Sequence, residues 1–180
     1  MSAEGRVQRA SVFGVDEQRA VAVDVPRWVA LAERVLDAER ARPDAELSLL
    51  FVDEAAMAEL NERHMAASGP TDVLAFPIDD EPVERGRWPD HGSAGPDRPV
   101  VDPEDLPMLL GDVVVCPAVA AAQAADHAGT PHHTGTVDDE IALLVVHGIL
   151  HVLGMDHAEP AETETMQARE RELLAQFHTS

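Results

Sequence analysis

The stretch Val137-Asp-Asp-Glu140-Ile-Ala-Leu-Leu-Val-Val-His147-Gly-Ile-Leu-His151-Val-Leu-Gly154-Met-Asp156-His157 decides how the rest of the chain is read. Its apolar residues predict a helix over 137–153. His147 and His151 stand four apart, so both imidazoles project from one face about one turn apart. Gly154 falls where a left-handed residue would end the helix and turn the chain back. His157, three residues later, can then return to the same point in space.

Three neutral imidazoles arranged in this way form a tripod with a fourth position left for water. That is the pattern of a catalytic zinc, since a closed structural site takes four protein ligands. There are 9 histidines in 180 residues, so a chance triplet of this spacing is expected roughly 0.02 times in such a chain. An apolar helix has little reason to carry two histidines on one face unless a ligand offsets their desolvation. We therefore read His147, His151 and His157 as ligands of one Zn²⁺ per chain. The spacing is shared with the metzincin proteases, H-E-x-x-H-x-x-G-x-x-H, but position 148 is Gly where they carry the general-base Glu. A peptidase leans on that carboxylate to take and return a proton. A phosphodiester has a better leaving group and asks for less.

Outward from the histidine helix, strands and helices alternate only in part. Val7–Val15 is a strand candidate, and Pro26 to about Arg40 reads as a helix with Trp28, Leu31, Val35 and Leu36 at helical spacing. Glu46–Val52 is a strand, and Asp53 a plausible N-cap for a helix carrying Met57, Leu60 and Asn61. Val73–Phe76 and Gly111–Val115 are further strands, Pro117 opens a helix to about His127, and a last helix spans about Pro160–Phe177. The Pro-, Gly- and acid-rich segment at about 77–109 reads as a long polar surface loop. The expected architecture is α+β or mixed α/β: a single domain over 1–180, with a small mixed sheet packed with helices.

Composition sets the limits on partners. The chain holds 13 Lys+Arg, all arginine, against 34 Asp+Glu, for a formal charge of -21. A protein that grips nucleic acid by bulk electrostatics needs a basic face, so DNA and anionic membranes are excluded as partners. The single cysteine, Cys116, rules out an intrachain disulfide and fits a reducing compartment. With no signal-peptide pattern at the N-terminus and no run of about 20 apolar residues, a cytoplasmic location is expected.

HGILHVLGMDH resembles the signature H-G-x-L-H-L-x-G-x-D-H of the YbeY proteins, bacterial rRNA maturation factors described as zinc-dependent, single-strand-specific endoribonucleases. Leu60-Asn61 with Pro70-Thr-Asp-Val-Leu-Ala-Phe-Pro77 is similar to the family's L-N…P-T-D-V-L-S-F-P, and Gly111-Asp-Val-Val-Val-Cys116 to its G-D-I-x-I strand. The likeness runs in order from about residue 44 to 175. It implies a metal at the end of a cleft, ligands His147, His151 and His157, and a role in small-subunit (16S) rRNA maturation and ribosome quality control. Its partner would be rRNA within the small ribosomal subunit or its precursor. Two positions depart: Met65 stands where the family often has an RNA-contacting arginine, with Arg63 pointing elsewhere, and Ala75 replaces serine.

The other candidates have bland readings beside the sharp ones. Asp156 is either a carboxylate orienting an imidazole or a turn residue. Glu140, two turns before His147 on the same face, is either a group that reaches a bound substrate or, the preferred reading, a helix N-terminal acid offsetting the macrodipole, and Asp72 and Asp112 are cleft-shaping residues or simple turns and caps. His91, His127, His132 and His133 read as solvated loop histidines, with a second metal site as the sharper alternative, Cys116 as a buried strand residue rather than a nucleophile, and Met155, Met166 and Leu173 as core. No residue is assigned as the catalytic acid or base. An endoribonuclease is the first reading. A non-catalytic zinc-containing ribosome-assembly factor is the alternative, and a metzincin-like hydrolase is third because of Gly148. The net charge predicts weak binding to free RNA, with recognition depending on the assembled particle.

Overall fold

The computed structural model describes residues 9–78, 107–155 and 159–178. In chain order these form β1 (Ser11–Asp16), α1 (Val25–Ala38), β2 (Ala45–Phe51), α2 (Glu54–Met65), β3 (Val73–Pro77), β4 (Met108–Val115), α3 (Pro117–Gln123), a 3₁₀ turn (Ala124–His127), α4 (Val137–Val152) and α5 (Pro160–Phe177). The strands make one sheet in the order β1-β2-β4-β3, parallel except for β3 against β4. This is the α+β, small-mixed-sheet architecture expected. His91 and most of the stretch read as a loop, residues 79–106, lie outside the described residues.

Alternation along β2 sends Ala45, Leu47, Leu49 and Phe51 to one face. With Val113 and Val115 of β4 they meet the apolar faces of α1 and α4 in the main core. A smaller cluster on the other face joins Val52, Leu74, Val114 and Cys116 to Met57 of α2. α4 is apolar nearly all round and lies against α1, α3, α5 and the sheet. No helix among the described residues is long and apolar enough to cross a membrane.

Helix ends follow the local chemistry. Asp24, Asp53 and Thr136 each accept a backbone N–H from the residue three further on. Glu159 and Glu162 form a reciprocal capping box on α5. The apolar strand expected from Gly111 begins three residues earlier, at Met108. Its register on β2 shifts between Glu46 and Leu47, so that Leu110 is the extra residue of a bulge. Gly111 has φ +143, and a Cβ there would stand 2.2 Å from the Phe76 carbonyl oxygen. A glycine that reads as a strand boundary thus sits beside a bulge inside the strand. The helix expected to run to His127 stays α-helical only to Gln123 and tightens into the 3₁₀ turn.

Candidate metal centre

His147 and His151 lie in the last two turns of α4, both half-buried. Their Nε2 atoms converge to 3.1 Å, and the rings stand at 77° with centroids 4.6 Å apart. Two ligands about 2.05 Å from a tetrahedral zinc lie roughly 3.3 Å from each other, so this pair fits such an ion. α4 then ends in a Schellman turn: Gly154, at φ +90, donates to the His151 carbonyl, and Met155 to that of Leu150, both at 2.9 Å. His157 and Asp156, assigned as third ligand and its neighbour, lie outside the described residues.

Glu170 of α5 is an orienting residue that the sequence reading missed. Its Oε1 stands 2.6 Å from Nδ1 of His147, and the residue is buried. A carboxylate there accepts the Nδ1 proton, which leaves the Nε2 lone pair turned toward His151.

The histidine pair faces a groove of about 540 Å³ between the end of α4, β3 and the end of α2. Asp72, Ala75 and Met65 line it. Met65 is exposed at the rim, whereas Arg63 is paired with Glu59 at 2.5 Å and lines a different groove, beside Phe76 and Asp112. Gly148 packs on the sheet, where a Cβ would come within 2.6 Å of Val113 Cγ1. The position that carries the metzincin general base has no room here for a glutamate.

A second cluster corrects the reading of the loop histidines. His133 and Glu140 are both buried; Glu140 lies in the first turn of α4, as expected of a helix N-terminal acid, but its side chain is enclosed. Its Oε2 accepts from His127 Nδ1 at 2.7 Å and from His133 Nε2 at 2.8 Å. These ligand atoms lie within 4.8 Å of one another, so the group could bind a metal ion. His133 Nδ1 accepts the Gly135 N–H at 3.1 Å, which puts the ring proton on Nε2, facing Glu140. A metal on that nitrogen would have to displace the proton. His132 alone of the pair stays exposed. The burial of His133 comes from the chain folding back onto α4, and nothing in the local sequence signals it.

The neighbouring Asp139 is also buried, and accepts from Thr134 Oγ1 at 2.6 Å, the Thr134 N–H at 2.8 Å and His178 Nε2 at 2.8 Å. Burial alone would raise its pKa. The hydrogen bonds from Thr134, His178 and Thr136 outweigh that and hold the carboxyl far below the ordinary carboxylate range. Cys116, Met166 and Leu173 are buried as expected, and Met155 packs at the edge of the core. Burial raises the Cys116 thiol pKa, which makes it a poor nucleophile.

A family model described as Endoribonuclease YbeY matches residues 15–178. Among curated proteins, the chain is 48% identical to the Endoribonuclease YbeY of Acidothermus cellulolyticus, covering 93% of this chain and 88% of that one. It is 45% identical to that of Beutenbergia cavernae, over 91% and 95% of the two chains. It is also 45% identical to that of Thermobifida fusca, over 92% and 94%. A solved protein from Thermotoga maritima shares the fold with a TM-score of 0.50 at 20% identity, covering 93% of this chain and 90% of that one.

Proposed function

This chain belongs to the endoribonuclease YbeY family, and from that premise we propose that it is a zinc-dependent, single-strand-specific endoribonuclease. Its substrate on this reading is rRNA of the small ribosomal subunit or its precursor, in 16S maturation and ribosome quality control in the cytoplasm. The observation that carries the reading is the convergence of the His147 and His151 Nε2 atoms at the wall of an open groove.

His147, His151 and His157 would hold one zinc ion per chain, which when bound supplies Lewis acidity toward phosphodiester oxygens. Glu170 holds His147 in the tautomer that offers Nε2. Gly148 lets α4 settle on Val113 and so fixes the height of both histidines above the groove floor. Three neutral imidazoles leave a full local positive charge where a phosphate must sit, inside a chain of net charge -21. Surface acids are screened beyond about 8 Å, but they still oppose binding of free RNA. Recognition therefore depends on the assembled particle.

Metal analysis of the purified protein is expected to give about one zinc per chain, lost on His147→Ala or His151→Ala with the fold retained. Cleavage of a single-stranded rRNA fragment should vanish in His151→Ala. A natively folded, metal-free protein, or cleavage unchanged in that variant, overturns the reading.

A non-catalytic zinc-containing assembly factor is the second reading, and Met65 favours it. Among the described residues that line the groove there is no arginine to hold a strand. Zinc-loaded protein that binds small subunits while no strand is cut would select it.

A further inference from the structure

Behind His147 lies a second cavity of about 340 Å³, between β3, α4 and α5, which shares Asp72, Val73 and His147 with the groove. Val73, Leu143, Leu144 and Met166 give it apolar walls, and Gln167 stands at its exposed edge. We propose that this cavity receives one unstacked nucleobase flanking the phosphate held at His147 and His151, and that it selects bases carrying an exocyclic amino group over uracil. The proposal rests on the endoribonuclease reading of the groove and adds a specificity subsite to it.

Size and charge decide the occupant. The volume falls at the low end of the roughly 300–1,000 Å³ typical of small-molecule sites, enough for one base and not a base pair. Asp72, Glu140 and Glu170 line it beside His127 and His147, so acids outnumber histidines, and no arginine is among the described lining residues. A phosphate is repelled there, while a neutral ring gains from the apolar walls. The base must leave its stack to enter, which restricts the site to single strands.

The polar edge decides which base. Asp72 Oδ1 is occupied by Thr71 Oγ1 at 3.0 Å and the Val73 N–H at 2.8 Å. That leaves Asp72 Oδ2 as an acceptor. The Gln167 amide brings a donor and an acceptor to the same cavity. Adenine, cytosine and guanine each offer an amino group to such acceptors. Uracil presents carbonyl oxygens at the corresponding position and meets a carboxylate.

The test is a methyl-NMR titration of the zinc-loaded full chain with cytidine and uridine 5′-monophosphates. Shifts are expected at Leu143, Leu144 and Met166 with the cytidine nucleotide, at an affinity about fivefold above that for the uridine nucleotide, one hydrogen bond's worth. Gln167→Ala should shrink that ratio, and Leu143→Trp, which fills the cavity, should remove the shifts at Leu144 and Met166 while zinc stays at one per chain. Shifts confined to the His147 groove, or equal affinities for the two nucleotides, overturn the subsite and leave the nuclease reading standing. Loss of zinc binding in the unmodified chain is the separate result that removes the nuclease reading itself.

Discussion

The imidazole of His147 and the carboxylate of Glu170, twenty-three residues apart on two different helices, meet through Nδ1 and Oε1 at 2.6 Å. α4 supplies the ring and α5 fixes its rotation, so the donor geometry depends on how these two helices pack. Removing the carboxylate should cost metal affinity without removing a ligand. Glu170→Ala is expected to weaken zinc binding by about 10–100-fold. Glu170→Gln, whose amide oxygen still accepts the Nδ1 proton, should recover much of that. Competition with a chromophoric chelator measures both, and equal affinities for Ala and wild type would refute the relationship.

Gly148 is set by packing. A methyl group there meets Val113 Cγ1 at 2.6 Å. Gly148→Ala is therefore expected to destabilise the fold by about 1–3 kcal/mol, the usual cost of overpacking. Urea denaturation gives the value, and a stability unchanged from wild type would show that the helix can lift off the sheet without penalty.

Asp139 makes acid stability a readout of a buried network. Its folded-state pKa is depressed, so its stabilising contribution is complete above the unfolded carboxylate value near 3.9. As pH falls below that value toward the lowered folded one, the contribution is lost. Asp139→Asn should cost about 3 kcal/mol at pH 7, and the gap to wild type should narrow between about pH 4 and pH 2. Melting curves across that window decide it. A gap independent of pH would mean that shape, rather than charge, holds Thr134 and His178 in place.

Met65 sits exposed on the groove rim. Met65→Arg should tighten single-stranded RNA binding several-fold and steepen the salt slope by about 0.7, the signature of one added phosphate contact. Fluorescence anisotropy at a series of salt concentrations tests this. An unchanged slope would mean that RNA does not pass that rim.

Periodicity and end chemistry made much of this legible in the sequence. α4, α5 and β2 fall within a residue or two of their expected bounds because each carries its own pattern and its own cap or breaker. The convergence of His147 and His151 follows from helical spacing alone. Other features depend on chain segments meeting in space. Glu170 has no sequence relation to His147 that any spacing rule contains. His133 sits in a polar linker and looks solvated, yet it is buried because the linker closes over the first turn of α4. Gly148 could be read as a missing base, but the reason for it, Val113 beneath, appears only once β4 lies under the helix.

α4 also has a consequence for how this chain can change over generations. Ten of its sixteen residues, Asp139–Ala142, Leu144–Val146 and Ile149, Leu150 and Val152, are buried side chains that hold the molecule together. The same rod carries both histidines at its far end. A substitution that merely shifts this helix in the interior is also an alteration of donor placement. Drift that α1 could absorb as a small loss of stability is filtered twice in α4, once for folding and once for the site.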